Sequence, residues 1–180
     1  MHLTSFEEFK DLAQRGTFVP VYKEIVADML TPVSAFLKIA EHSDYAFLLE
    51  SVEGGEQVAR YSFLGKDPFL ILRARGGRTM IERDGESAES ETPFLDVLRS
   101  TMAGFRSPLV PGLPRFTGGA VGYLDYDAVR WFEPVPVPPR AEGDPDTDDA
   151  GFMVFDTVLA FDHVQHRILL IANARVGADD

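Results

Sequence analysis

Two apolar runs on either side of a glycine-rich turn form the most regular stretch of the chain. The first run covers residues 44–49 and leads into Glu50 and Ser51, and the second covers residues 60–65. Between them lies the turn sequence Glu53-Gly54-Gly55-Glu56, which is typical of a connection between antiparallel strands. The pattern therefore predicts a strand pair whose first strand ends in a carboxylate beside a hydroxyl.

Apolar residues recur at helical spacing in three segments. In the first, Thr4 or Ser5 can cap a helix with Glu7 or Glu8 completing a capping box, and Gly16 ends it. Thr31-Pro32 and Thr92-Pro93 each place a capping hydroxyl before a proline at the first helical position, which predicts two more helices. The predicted buried faces comprise Phe6, Phe9, Leu12 and Ala13; Val33, Phe36, Leu37 and Ala40; and Phe94, Val97, Leu98 and Met102.

The rest of the chain predicts strands. Residues 18–22 are extended, with Pro20 confining them to a sheet edge or a strand start. Residues 68–75 and 78–83 flank a Gly76-Gly77 turn and end at an Asp84-Gly85 turn, and two more strands cover residues 152–161 and 167–172. Because a parallel sheet would need a helix between most strands, the order predicts an α+β fold, mainly antiparallel sheet folded into two packed layers with three helices.

Composition narrows the class of protein. A chain of 180 residues with 45% hydrophobic residues is most simply one globular domain, residues 1–180. Its formal charge of −12 argues against a nucleic-acid partner, because such proteins need a basic surface. There is no cysteine, which excludes disulfides and thiolate metal sites. An acidic N-terminus and the lack of a membrane-spanning apolar run predict a soluble, cytoplasmic protein without a membrane partner.

The glycines of residues 117–122 suggest a phosphate-binding loop only superficially. The dinucleotide fingerprint needs Gly where Thr117 stands, and no Lys-Ser/Thr pair follows as a P-loop requires. We therefore interpret these glycines as sites of close backbone packing or of a strand bend.

Two further patterns resemble metal sites. Asp144, Asp146 and Asp148 alternate as in a calcium loop, but Asp149 replaces the required glycine and Phe155 replaces the closing Glu. We expect a solvated acidic loop within residues 133–150.

His163 and His166 form the second pattern. Their odd spacing predicts opposite faces of a strand, with no third ligand near in sequence. The four histidines of the chain also define no Ser-His-Asp arrangement. The sequence therefore predicts neither a metal site nor a catalytic residue.

Glu50 is the strongest remaining candidate, because a carboxylate that follows an apolar strand needs a partner. One interpretation is structural, with Glu50 accepting hydrogen bonds from backbone N–H groups or from Arg60 across the hairpin. The other is a ligand: the carboxylate accepts from an ammonium group, and hydroxyls hold polar groups beside an apolar wall. The hydroxyls are Ser51 and Ser62, and the wall comprises Leu48, Leu49 and Tyr61. These groups suit a hydrophobic amino acid, and the pattern alone leaves both interpretations open.

Four motifs, in order, resemble the N-terminal region of anthranilate synthase component I, a family of chorismate-utilising enzymes. They are Leu48-Leu49-Glu50-Ser51, residues 60–65, residues 114–127 and residues 156–163. The resemblance covers essentially all 180 residues.

The resemblance implies a regulatory function. The family makes anthranilate and pyruvate from chorismate, with ammonia from a glutamine amidotransferase partner (component II) and with Mg²⁺, in tryptophan biosynthesis. Its Leu-Leu-Glu-Ser stretch binds tryptophan as feedback inhibitor. Carried over, Glu50 accepts from the ammonium group and Ser51 hydrogen-bonds the same end of the ligand. Leu49, Tyr61 and Ser62 complete the implied tryptophan site.

The resemblance also implies that the family's catalytic domain, with its Mg²⁺ ligands, follows this region and is absent from the chain. We therefore expect no cofactor and no turnover of chorismate in this chain alone. Two alternatives stay open: the N-terminal domain of aminodeoxychorismate synthase component I, and a stand-alone amino-acid-sensing module. A docking surface for the amidotransferase is a further possibility.

Overall fold

The computed structural model describes residues 2–27, 30–50, 60–136 and 147–177. Within this part of the chain, the helices are α1 (Phe6–Ala13), α2 (Pro32–Ala40), α3 (Phe94–Ala103) and a 3₁₀ helix (Tyr126–Trp131). The strands are β1 (Phe18–Val26), β2 (Ala46–Leu49), β3 (Tyr61–Lys66), β4 (Leu70–Arg75), β5 (Arg78–Arg83), β6 (Glu86–Ser90), β7 (Gly119–Leu124), β8 (Ala150–Phe155), β9 (Thr157–Asp162) and β10 (Arg167–Arg175).

The strands form two five-stranded sheets. Sheet A has the order β1-β10-β9-β3-β2, and sheet B has the order β6-β5-β4-β8-β7. Every strand pair is antiparallel. The predicted α+β class with two packed sheet layers is confirmed. Pro20 lies in β1, an edge strand as predicted, where its missing N–H costs no ladder hydrogen bond on the open side.

Three apolar clusters define a four-layer arrangement of helix, sheet, sheet and helix. Leu72 and Phe94 belong to the cluster between sheet B and α3. Phe155 and Ile171 belong to the cluster between the two sheets. A third cluster, which includes Leu64, joins sheet A to α2. Each sheet therefore has apolar residues packed on both of its faces.

The chain crosses from sheet B to sheet A through a single residue. The predicted strand over residues 152–161 is in fact two strands, β8 and β9, separated by Asp156. Phe155 pairs with Gly119 in sheet B, whereas Thr157 pairs with Ala172 in sheet A. The apolar pattern did not reveal this break because both strands are almost continuously apolar, as expected where both faces are buried.

The helix starts are partly as predicted. Ser5 caps α1 in a capping box with Glu8, and Thr31 caps α2. At α3 the predicted cap was wrong: the N-cap is Pro93, whose side chain has no polar atom and makes no capping hydrogen bond. Thr92 has another role, because its carbonyl accepts from the Thr79 hydroxyl at 2.8 Å.

The predicted buried face of α2 also needs correction. Val33 and Leu37 are 48% and 66% exposed. The helix instead packs through Ala35, with the partly buried Phe36 and Ile39 beside it. Both stripes have helical spacing, so only the position of sheet A decides between them. In α1, Phe6 was likewise predicted as buried and is exposed.

The tight turns follow their glycines. Gly76 and Gly77 have φ of 57° and 81°, and Asp84 and Gly85 have φ of 54° and 80°. Positive φ at both central residues is the geometry of the hairpin turns that match strand twist, as the sequence predicts. The 3₁₀ helix was not predicted; the Asp125 side chain accepts from the Tyr126 N–H at its start.

Candidate functional site

Glu50 directly follows the strand pair that the sequence predicts. In that hairpin Leu49 pairs with Phe63, and the ladder ends one residue before Glu50. Glu50 is exposed, and within residues 2–50, 60–136 and 147–177, apart from 28 and 29, its carboxylate has no hydrogen bond or ion pair. Ser51, predicted beside it, lies outside the described residues, as does the predicted turn at residues 53–56. The prediction that Glu50 binds a ligand therefore stays a prediction.

The predicted apolar wall is divided between the two faces of sheet A. Leu48 pairs with Leu64, and both pack on the α2 side. Phe63 lies on the opposite side, between the sheets, with its ring centroid 5.9 Å from that of Tyr61. Leu49, which pairs with Phe63, is 47% exposed. Since neighbouring residues of a strand point to opposite faces, Tyr61 and Ser62 do not line one continuous surface.

Ser62 is buried, and its hydroxyl is 2.8 Å from Nε2 of His163. The His163 side chain is exposed, and its backbone N–H donates to the Arg60 carbonyl at 2.9 Å. Sequence reasoning did not place His163 near Ser62. The available signal was the end of the apolar run at Asp162-His163, because a polar residue there meets the start of the neighbouring antiparallel strand.

Arg60 binds Asp162 and not Glu50. Its Nε and Nη2 donate to Oδ1 and Oδ2 of Asp162 at 3.0 and 2.8 Å. The buried Asp162 also accepts from the N–H groups of Val164 and Gln165, both at 3.2 Å, and from Arg167 Nε at 3.4 Å. The structural interpretation in which Arg60 satisfies Glu50 is therefore wrong.

The charge of Asp162 is stabilised despite its burial. Burial by itself raises the pKa of this carboxyl, but the hydrogen bonds from Arg60 and Gln165 and the charges of Arg60 and Arg167 hold it below its ordinary value. Arg167 is itself shared, because Nη1 forms an ion pair with Glu24 and Nη2 donates to the Gly112 carbonyl at 3.1 Å. Arg60 and Arg167 thus both belong to a network of ion pairs and hydrogen bonds around Asp162.

The glycine-rich stretch has a structural explanation, as predicted. A Cβ on Gly118 would lie 2.6 Å from Nδ2 of Asn173 and 2.9 Å from the Phe155 carbonyl oxygen, and Gly118 has φ of 153°. Nδ2 of Asn173 donates to the carbonyls of Thr117 and Asp156 at 2.7 and 2.9 Å. The stretch therefore packs its backbone against the point where the chain changes sheets.

The acidic and histidine patterns do not converge. Among the described residues, no group of three His, Asp or Glu side chains is placed to hold a metal ion. Asp144 and Asp146 lie outside those residues, and Asp148 accepts from Arg75 Nε at 2.8 Å. His163 and His166 both lie in the turn between β9 and β10, where His166 has φ of 50°. The prediction that they lie on opposite faces of a strand is therefore wrong.

The helices that the structure describes are all too short or too polar to cross a membrane.

The chain is similar to anthranilate synthase component 1 along its whole length. The Acetivibrio thermocellus protein of that name is 41% identical over 180 residues, which are 99% of this chain and 36% of that protein. The Synechocystis sp. protein of the same name is 45% identical over 178 residues, or 97% of this chain and 34% of that protein. No protein-family model matches the chain.

A solved structure shows the same likeness. The crystal structure of anthranilate synthase component I from Streptococcus pneumoniae superposes with a TM-score of 0.53 at 26% identity, covering 87% of this chain and 32% of that one. This chain therefore spans about a third of the length of the relatives that it matches.

Proposed function

Because the chain is homologous over its whole length to about a third of anthranilate synthase component 1, we propose that it is the N-terminal regulatory domain of such an enzyme. The observation that carries this proposal is the 41–45% identity along 97–99% of the chain. The domain's task is to bind tryptophan as feedback inhibitor of tryptophan biosynthesis in the cytoplasm.

Glu50 supports this assignment through its surroundings. It is exposed at the end of β2, beside the exposed Leu49, and Arg60 pairs with Asp162 and not with the Glu50 carboxylate. An exposed carboxylate next to apolar surface provides an acceptor for an ammonium group and a contact for an aromatic side chain. In the proposed site Glu50 binds the ammonium of tryptophan, with Ser51 at the same end of the ligand. Of the other predicted residues, Leu49 and Tyr61 lie on one face of the sheet and the buried Ser62 lies on the other.

The chemistry of the whole enzyme belongs to the remaining two thirds of such a protein. That part converts chorismate and glutamine to anthranilate, pyruvate and glutamate together with a glutamine amidotransferase subunit, component II. Its Mg²⁺ does not fit the present residues, since the described part of the chain offers no cluster of three carboxylate or imidazole ligands. We assign no catalytic residue to this chain.

Feedback inhibition through this domain is a coupling free energy between two sites. Tryptophan binds one arrangement of the whole enzyme better than the active arrangement, and by linkage chorismate weakens tryptophan binding by the same factor. This domain makes the contacts with tryptophan that differ between the two arrangements of the enzyme.

The proposal is tested by titrating the 180-residue chain with L-tryptophan and recording calorimetric heats and ¹H–¹⁵N chemical shifts. We expect saturable binding with shifts at residues 48–50 and 60–63. Glu50→Gln should weaken binding about 10- to 100-fold, as loss of a charge-assisted hydrogen bond does.

Glu86→Gln is the matched control, because Glu86 is an exposed carboxylate on β6 of sheet B. It should bind like the unaltered chain. Absence of tryptophan binding, or equal binding by the Glu50→Gln protein, contradicts the proposed function.

A further inference from the structure

Each five-stranded sheet has two edge strands, and three of these four edges carry features that discourage pairing with another chain. The open side of β1 is already occupied by the N-terminal segment, since the Thr4 N–H donates to the Tyr22 carbonyl at 3.1 Å. β2 has only four residues, and β6 carries the exposed carboxylates of Glu86 and Glu89. Covered edges, short strands and charged side chains are the usual protection of sheet edges.

β7 is the edge strand that lacks such a feature. It has six residues, none of them charged and none of them proline. It pairs with β8 in a continuous register from Gly119 to Leu124, without a bulge. Within the described part of the chain, no backbone hydrogen bond reaches the side of β7 that faces away from β8. The outer N–H and C=O groups of β7 therefore form a template to which a further strand can add.

Exposed apolar side chains continue this open edge. Tyr123 and Leu124, at the end of β7, are both exposed. Tyr126, at the start of the 3₁₀ helix, is 90% exposed, the largest fraction of any large hydrophobic side chain in the described residues. An apolar patch beside an open sheet edge is typical of a surface that binds another protein chain.

The sequence of β7 is complementary to itself in an antiparallel arrangement. A strand that pairs with its own copy about a twofold axis forms an isologous interface, in which both partners use the same residues. With the axis at the centre of β7, Leu124 lies opposite Gly119 of the second copy, and Tyr123 lies opposite Ala120. The remaining pair joins a valine to a glycine. Each pair thus combines a larger side chain with a small one, so that no two bulky groups meet.

The charges at the two ends of β7 suit the same arrangement. Arg115 precedes the strand, Asp125 and Asp127 follow it, and all three are exposed. In an antiparallel pair the start of one strand lies beside the end of the other, which brings each Arg115 towards the acidic end of the second copy. The formal charge of −12 opposes association. Exposed charges more than about 8 Å apart are, however, largely screened at physiological ionic strength.

We propose that two copies of this chain associate through β7, antiparallel about a twofold axis, so that their B sheets form one continuous sheet. Backbone hydrogen bonds between the two edges provide the affinity, and the pairs of large and small side chains fix the register. This inference does not depend on the proposed function, because Glu50 follows an edge strand of sheet A.

Sedimentation equilibrium of the 180-residue chain tests the association. We expect the mass to rise from that of one chain towards that of two as the concentration increases through the micromolar range. Leu124→Lys places a charge on the edge, as natural edge strands do, and should weaken dimerisation about 10-fold or more. Leu37→Lys is the matched control, because it makes the same change at an exposed leucine of α2 and should leave dimerisation unchanged.

Hydrogen exchange of the unaltered chain locates the interface. Amide protons of residues 119–124 should exchange more slowly in the dimer than in the monomer, because the new strand pair protects them. Those of residues 86–90, at the other edge of sheet B, should exchange equally in both.

A chain that keeps the mass of a monomer at every concentration contradicts the proposal. A dimer that gives residues 119–124 no added protection, or that Leu124→Lys leaves intact, contradicts it as well. Glu50→Gln should dimerise like the unaltered chain, so that loss of tryptophan binding and loss of dimerisation are separate results.

Discussion

Arg60 and Asp162 are 102 residues apart in sequence and form two parallel hydrogen bonds of 3.0 and 2.8 Å. The pair links the start of β3 to the end of β9, next to Ser62 and His163. Because Asp162 is buried and also accepts from two backbone N–H groups, it organises the turn on which His163 lies. The same network thus stabilises the fold and positions residues of the candidate site.

Asp162→Ala should therefore destabilise the chain by about 3 kcal/mol, because it leaves two turn N–H groups and Arg60 without their acceptor. Urea unfolding monitored by circular dichroism measures the loss. Arg99→Ala is the control, since Arg99 and its partner Asp96 are both exposed and 2.7 Å apart. Exposed pairs contribute about 0.5 kcal/mol. Equal losses in the two variants would refute a special role for the buried carboxylate.

Stability should also fall in acid. The pKa of Asp162 lies below its ordinary value of 3.8, so near and below that value the unfolded chain binds a proton more readily than the folded chain. The contribution of Asp162 is thus fully present above the unfolded pKa and is lost as the pH falls through the folded pKa.

Urea unfolding of the unaltered chain at pH 7, 4.5 and 3 should show this decline. Asp162→Asn should show a smaller decline, with a remainder from Asp67, whose pKa is lowered by hydrogen bonds from Ser43 and Lys66. Parallel pH profiles for the two proteins would show that Asp162 is not responsible.

Gly118→Ala should cost about 2–3 kcal/mol, because the added Cβ meets the Asn173 amide and the Phe155 carbonyl while the backbone keeps a positive φ. Gly76→Ala provides the comparison: Gly76 also has positive φ, but a Cβ there meets nothing within 4 Å. Its cost should be about 1 kcal/mol, from the backbone alone. Thermal unfolding of both variants separates the cost of the steric clash from the cost of the backbone conformation. A larger loss of stability for Gly76→Ala than for Gly118→Ala would argue against close packing around Gly118.

The orientation of α2 can be tested with two leucines. Leu64 is fully buried under the helix, so Leu64→Ala should destabilise the chain by about 3 kcal/mol. Leu37→Ala should change stability by less than about 0.5 kcal/mol, because Leu37 is 66% exposed. A large loss at Leu37 in urea unfolding would instead support the helix face that the sequence pattern favoured.

Features encoded within a few residues were predictable from the sequence. The turns at Gly76-Gly77 and Asp84-Gly85, the Ser5 and Thr31 caps and the pairing of β2 with β3 depend on neighbouring residues, and the structure has each of them. Their physical causes, positive φ and unpaired N–H groups at a helix start, are local.

Features decided by distant packing were not predictable. The apolar run through residues 150–162 does not show that Asp156 divides it between two sheets. The pattern of α2 could not choose between two apolar stripes, and the partner of Arg60 was sought in the hairpin although it lies 102 residues away. At the candidate site, Glu50 was accessible to sequence reasoning, whereas the contact of His163 with Ser62 depends on strand order.

The pairing of β1 with β10 has a consequence for how the chain folds as it is made. Phe18 pairs with Arg175 and Val26 with Arg167. The first strand of sheet A can therefore pair only after the last strand has been synthesised. Contacts of such long sequence separation form slowly, because the loop between them must close first. On a ribosome the apolar face of β1 is therefore without its neighbour until residue 175 has left the exit tunnel, and sheet A closes only at the end of synthesis of this domain.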